Sequence, residues 1–116
     1  MKIKNRNVVI TGASTGIGYS AVEAFLNEEC HVYGMVRSVK DAKKLKNEFG
    51  EKFTPLIADV TDHAAIDRIA DQLTAEIGKD GLSCLVNNAG IAQAGPLLDQ
   101  SIEQIQYHFD VNVIGL

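Results

Sequence analysis

The sequence predicts an α/β fold, a doubly wound parallel sheet, from three observations. Short β-rich runs alternate with longer segments of helical period along the whole chain. The connections between them are short, so each crossover must return the chain to the same end of the sheet. A glycine-rich turn, "TGASTGIG", also stands directly between the first strand and the first helix.

Each element follows from local pattern. Val8, Val9 and Ile10 make the first strand, and "GIGYSAVEAFLNEE" follows as a helix expected to turn Ile17, Ala21, Ala24 and Phe25 inward. "CHVYGMV" is a strand by its Val and Tyr content, with Tyr33 and Met35 expected to pack. A polar helix covers residues 39–49 and ends at Gly50; "FTPLIA" is the third strand. Thr61 or Asp62 caps a helix carrying Ile66, Ile69, Ala70, Leu73 and Ile77 on one face, with Gly78 and Gly81 at its exit. "LSCLV" is the fourth strand. A glycine-containing loop then runs to Asp99, and Ser101 with Gln104 predicts a capping box for the last helix. In that helix Ile102, Ile105, Phe109, Val113 and Leu116 recur at spacings of three and four, and no stop signal follows. Without repeats, linkers or low-complexity segments, residues 1–116 read as the N-terminal dinucleotide-binding part of one domain, truncated after the fourth strand and its following helix.

Composition narrows the function classes. With 116 residues, 46% hydrophobic and 22% charged, the chain holds one small globular core. A net charge of -4 with dispersed carboxylates argues against a nucleic-acid surface. Lys40, Lys43, Lys44 and Lys46 sit among helix formers and read as a solvated face. Cys30 and Cys84 share no short spacing and lie in apolar company, as buried free thiols of a reducing compartment do. No apolar run reaches the length of a signal-peptide core or a membrane span, so the expected location is cytoplasmic and no membrane partner is expected. His31, His63 and His108 lack metal-ligand spacing and are expected at the surface or at helix ends.

Ligands of doubly wound sheets bind beyond the carboxyl ends of the strands, and the residues there carry the chemistry. Gly12, Gly16 and Gly18 let the backbone turn tightly and approach a pyrophosphate, whose charge is stabilised by free N–H groups at the helix N-terminus. Glycines alone mark no more than a tight turn; their place between a first strand and a first helix is what points to a nucleotide. At the end of the second strand, where a carboxylate would bond a ribose 2′-hydroxyl, the chain has Arg37 and Ser38 instead. An arginine can fork two hydrogen bonds onto a 2′-phosphate, which favours NADP, with NAD still possible. The missing carboxylate also speaks against an S-adenosylmethionine-dependent methyltransferase.

Four ordered motifs resemble those of the short-chain dehydrogenase/reductase family, whose domain is of the Rossmann type. "TGASTGIG" is similar to the family's TGxxxGIG turn, which implies cofactor contacts from Gly12, Ser14, Thr15, Gly16, Ile17 and Gly18. "ADV" resembles the segment whose acidic residue contacts adenine, implying Asp59 and Val60. "NNAG", residues 87–90, resembles the motif after the fourth strand, implying Asn88, Ala89 and Gly90. "VNVIG" resembles the helix with a catalytic asparagine, here Asn112. The resemblance implies hydride transfer between a nicotinamide cofactor and a small alcohol or ketone, in a full-length homo-oligomer. The family's remaining catalytic groups are a Ser and a Tyr-x-x-x-Lys pair, in which the nearby cation lowers the phenol pKa. Neither has a counterpart: Tyr19 is followed at that spacing by Glu23, Tyr33 by Arg37 and Tyr107 by Val111. The chain therefore reads as the cofactor half of a longer enzyme and by itself is expected to be inactive. The competing reading is a noncatalytic module that senses NADP.

Overall fold

The computed structural model describes residues 2–116. Its strands are β1 (Asn7–Ile10), β2 (His31–Val36), β3 (Phe53–Ile57) and β4 (Leu82–Val86). They alternate with helices α1 (Gly16–Asn27), α2 (Val39–Phe49), α3 (His63–Ile77) and α4 (Ile102–Phe109). All strand pairs are parallel, in the order β3-β2-β1-β4. The expected doubly wound sheet is present, and β1 and β4 flank the point where strand order reverses.

Period-two alternation divides the core between the two faces of the sheet. Val8, Ile10, Val32, Val36 and Phe53 bury against Val22 of α1 and Leu45 of α2. On the opposite face Met35 and Leu56 pack with Ala65 of α3 and with Val111. Gly34 sits on the first face because the Phe53 ring occupies the space beside it: a Cβ there would stand 2.5 Å from Phe53 Cε2. Cys30 is fully buried and donates its thiol to the Ile3 carbonyl at 3.1 Å; Cys84 is half-buried, and both are free. Desolvation pushes the Cys30 thiol pKa up, as expected of a structural cysteine.

Helix ends follow the sequence closely. Ser38 Oγ accepts from Asp41 N at 3.1 Å, and Asp62 Oδ1 accepts from Ala65 N at 3.0 Å, which makes Asp62 rather than Thr61 the cap of α3. Both bonds of the Ser101–Gln104 capping box are made, at 3.1 and 2.8 Å.

One expectation about a helix face is corrected. In α1 the inward residues are Gly18 and Val22, with Ala21, Phe25 and Leu26 half-buried; Ala24 is exposed and Ile17 is 82% exposed. Gly18 presses against the preceding turn, which sets the rotation of the helix and turns Ile17 away from the core. In the last helix, α-geometry ends at Phe109 and continues as a π turn, Asp110–Ile114. Val111 in that turn is buried, while Ile102, Phe109, Val113 and Leu116 are exposed.

No helix among the described residues is long and apolar enough to cross a membrane. The sheet ends at β4, whose outer edge carries exposed Leu82 and Leu85 and no charged side chain. An uncharged apolar edge is a template for strand pairing. The 116-residue chain on its own should therefore self-associate in size-exclusion chromatography, and a monodisperse monomer with one cooperative thermal transition would show that these strands close a sufficient core.

Candidate cofactor site

The loop after β1 is held from both sides. Thr11 N donates to Val86 O at 3.0 Å and Ala13 N to Met35 O at 3.0 Å, so the turn is stitched to β4 and β2 at their carboxyl ends. Thr11 then organises the loop after β4. Its Oγ1 accepts from Asn88 N at 3.0 Å and from Ala89 N at 2.9 Å, while Asn88 Nδ2 donates to Thr11 O and Gly12 O, each at 3.1 Å. These bonds close the switch point of the sheet into a rigid junction.

The glycines fit the cradle the sequence predicts. Gly12 has φ 65° and would place a Cβ 2.9 Å from Ala89 Cα, so conformation and crowding both require glycine. At Gly18 a Cβ would lie 2.0 Å from Gly12 O. Gly16 has φ 60° but open space where a Cβ would stand, so backbone conformation alone demands it. Thr15 precedes α1 as its N-cap without a side-chain capping bond, which leaves the first-turn N–H groups uncapped by that side chain. Such a terminus is suited to an anion.

A cleft of about 290 Å³ opens over this junction. Its floor is Gly12, Ser14, Thr15 and Ile17, which explains the exposure of that isoleucine. One end is formed by Met35, Val36 and Arg37 with Ala58, Asp59 and Val60. The other end is Asn88, Ala89, Gly90 and Ile91, and Tyr107 with Val111 contributes from the last helix and its π turn. Asp59 Oδ1 accepts from Thr61 N at 2.9 Å and from Thr61 Oγ1 at 2.8 Å, which fixes the carboxylate at the wall. Arg37 is exposed and forms no ion pair among the described residues.

Four expected site residues stand outside the lining. Gly16 and Gly18 shape the turn from behind, and Ser38 uses its Oγ as the cap of α2. Asn112 is the fourth: its Oδ1 accepts from Ile91 N at 2.8 Å and its Nδ2 donates to Ile91 O at 2.9 Å, so the side chain pairs with backbone like a strand neighbour. Sequence reasoning missed Met35, Val36, Ala58, Ile91, Tyr107 and Val111 as lining residues. Ile91 adjoins a recognised motif, Ala58 and Val111 open two others, and Tyr107 precedes Val111 by one helical turn, which was the available signal. His108 lies in the last turn of α4, at a helix end as expected, and is half-buried with both ring nitrogens engaged. Tyr19 bonds Glu48, and that bond, with burial and the adjacent carboxylates, pushes its phenol up to about 12, so it stays protonated near neutral pH. No group of His, Cys, Asp and Glu suited to a metal ion occurs among the described residues.

A parallel sheet in this order, with a glycine turn and a cleft over the switch point, defines a dinucleotide-binding fold. The sequence profile of the family described as short chain dehydrogenase matches residues 6–116, and the chain belongs to that family, whose members use nicotinamide cofactors. It is 41% identical over 110 residues to an NADPH-dependent 3-dehydrocapnine reductase of Ornithobacterium rhinotracheale, covering 95% of this chain and 39% of that protein. It is 33% identical to an (S)-benzoin-forming benzil reductase of Saccharomyces cerevisiae, covering 94% and 44%. A crystal structure of a short chain dehydrogenase from Bacillus anthracis superposes with a TM-score of 0.90 at 23% identity, covering 97% of this chain and 47% of that one, which bears on the fold alone. The chain thus spans less than half the length of these relatives.

Thr11 should be the most sensitive polar position in the site. Thr11→Val keeps the shape and orphans the N–H groups of Asn88 and Ala89, at about 1–3 kcal/mol for each buried donor left unpaired. Thr11→Ser should retain most of the stability. Urea unfolding of the full-length variants compares the two, and equal midpoints would show that the hydroxyl holds nothing.

Proposed function

We propose that this chain is the cofactor half of an NADP-preferring oxidoreductase acting on a small alcohol or carbonyl compound. The carrying observation is Arg37, an unpaired guanidinium at the end of β2, lining the cleft where a 2′-hydroxyl-binding carboxylate would otherwise stand. An NADPH-dependent reductase at 41% identity supports the same choice.

The roles of the chain's own residues follow from charge and shape. Uncapped N–H groups at the start of α1 and the backbone of Gly12, Ser14, Thr15, Gly16 and Ile17 receive the pyrophosphate, with Gly18 allowing close packing beneath. Asp59 and Val60 take the adenine, and Arg37 the 2′-phosphate. Asn88, Ala89 and Gly90 border the second half of the cofactor, and Asn112 fixes the backbone of Ile91 beside it. The bound cofactor supplies hydride to, or takes it from, the substrate carbon. Proton exchange at the substrate oxygen falls to a Ser and a Tyr-x-x-x-Lys pair in the rest of the protein, since no tyrosine here has a lysine at that spacing. The exposed apolar residues of the last helix suit it to burial within a homo-oligomer of the full-length protein.

Arg37→Ala in the full-length protein should weaken NADP binding by about ten- to a hundredfold, the loss of a charge-assisted hydrogen bond, with little change for NAD. Calorimetric titration with both cofactors decides the point; equal losses would place the role of Arg37 in structure. The 116-residue chain alone should show no turnover with NADPH and a panel of ketones, because a positioned acid contributes ~10²–10⁴-fold. Activity that survives rigorous purification would contradict the assignment of the chemistry to residues outside this chain.

A further inference from the structure

Among the described residues, the segment 87–95 makes no backbone–backbone hydrogen bond, although it forms one end of the cleft. Side chains hold it instead. Thr11 grips its start at Asn88 and Ala89, and Asn112 pairs with Ile91. Beyond Ile91 the remaining bond is made by Gln93 N, which donates to His108 Nε2 at 3.1 Å.

The geometry of His108 defines its state. A backbone N–H can only donate, so Nε2 must present its lone pair, and the ring proton lies on Nδ1, which donates to the Gln104 carbonyl at 2.8 Å. One nitrogen is thus anchored in the preceding turn of α4 and the other reaches across to the loop. His108 and Asn112 are four residues apart on one helical face and grip Ile91 and Gln93, two residues apart in the loop. An aliphatic residue at 108 could bury the same surface but would leave Gln93 N without its acceptor.

The place of the gripped segment gives the contact its consequence. Gly90 and Ile91 line the cleft at the carboxyl end of β4. In a doubly wound fold the strands on that side of the reversal point form the second mononucleotide half, while the half carrying β1, β2 and β3 takes the adenosine. We propose that His108 is a positioning residue for the nicotinamide half of the cofactor: with Asn112 it fixes residues 90–93 as the wall of that half. This rests on the cofactor reading above.

The test compares two ligands in the full-length protein: NADPH, which spans both halves, and adenosine 2′,5′-bisphosphate, which occupies the adenosine half alone. His108→Leu removes both ring bonds; His108→Gln keeps an acceptor of similar reach; His108→Ala replaces Leu if that variant does not fold. His108→Leu should weaken NADPH about three- to tenfold, the range for one lost hydrogen bond, and change the bisphosphate by less than about twofold. His108→Gln should restore NADPH binding, and amide exchange at Gln93 should accelerate in the Leu variant and slow again in the Gln variant. Unchanged NADPH affinity in the Leu or Ala variant, or equal weakening of both ligands, overturns the proposal while leaving the cofactor reading intact. Failure of the unsubstituted protein to bind either ligand overturns the cofactor reading and the proposal with it.

Discussion

The hydroxyl of Thr11 is the point on which the site depends. A parallel sheet supplies no hydrogen bonds between loops at the ends of neighbouring strands, yet a dinucleotide cleft needs two such loops at a fixed separation. Here one oxygen accepts from two successive N–H groups, Asn88 and Ala89, and the Asn88 amide returns bonds to the carbonyls of Thr11 and Gly12. Each bond contributes about 0.5–1.5 kcal/mol net, but an orphaned buried donor costs about 1–3 kcal/mol, so partial disruption is worse than absence. The glycines follow from the same junction. Gly12 can carry no Cβ because Ala89 is held against it, and Gly18 none because Gly12 O and the Asn88 amide fill the space.

The π turn extends this arrangement to the far wall. In a continuous α-helix the residues around position 112 would keep the apolar face begun by Ile102 and Ile105. The wider turn at Asp110–Ile114 instead brings Val111 into the core beside Val60 and sends the Asn112 amide toward Ile91. Gly115 belongs to the same packing, since a Cβ there would meet Val60 Cγ2 at 2.8 Å. The helix end is therefore shaped by the loops it serves rather than by its own periodicity.

This division explains what the sequence could and could not disclose. Strand runs, caps at Asp62 and Ser101, and the order of the sheet were legible because period, capping chemistry and short crossovers act locally or through general chirality rules. Ile17 was misplaced because an apolar side chain that faces a ligand cleft reads the same as one that faces the core. The π turn was invisible because nothing in "FDVNVIGL" departs from helical composition. The contacts of Thr11 and His108 join residues 77 and 15 positions apart, and pairings at such distances are fixed by the tertiary fold. Residues matched to motifs were found more readily than the neighbours that orient them, as Gly90 and Ile91 illustrate.

The two ends of the cleft are unequally built, and this bears on what the chain can do. Around the β2 and β3 termini the wall is closed by buried Met35, Val36, Ala58 and Val60, with Asp59 oriented by Thr61 and Arg37 at the rim. At the β4 terminus the wall is a single loop without backbone–backbone bonding among the described residues, tied at its start to Thr11 and Gly12 and further on to one helix whose apolar residues lie largely exposed. On the proposed cofactor reading, the adenosine half would rest on rigid strand ends, whereas placement of the reactive half would rest on a few side-chain bonds. Such bonds gain stability when neighbouring surface excludes water. The relatives are more than twice as long as the stretch they share with this chain. On that reading, recognition of the cofactor and its orientation for chemistry are separable in this fold, the first resting on strand ends and the second on side-chain bonds to one loop.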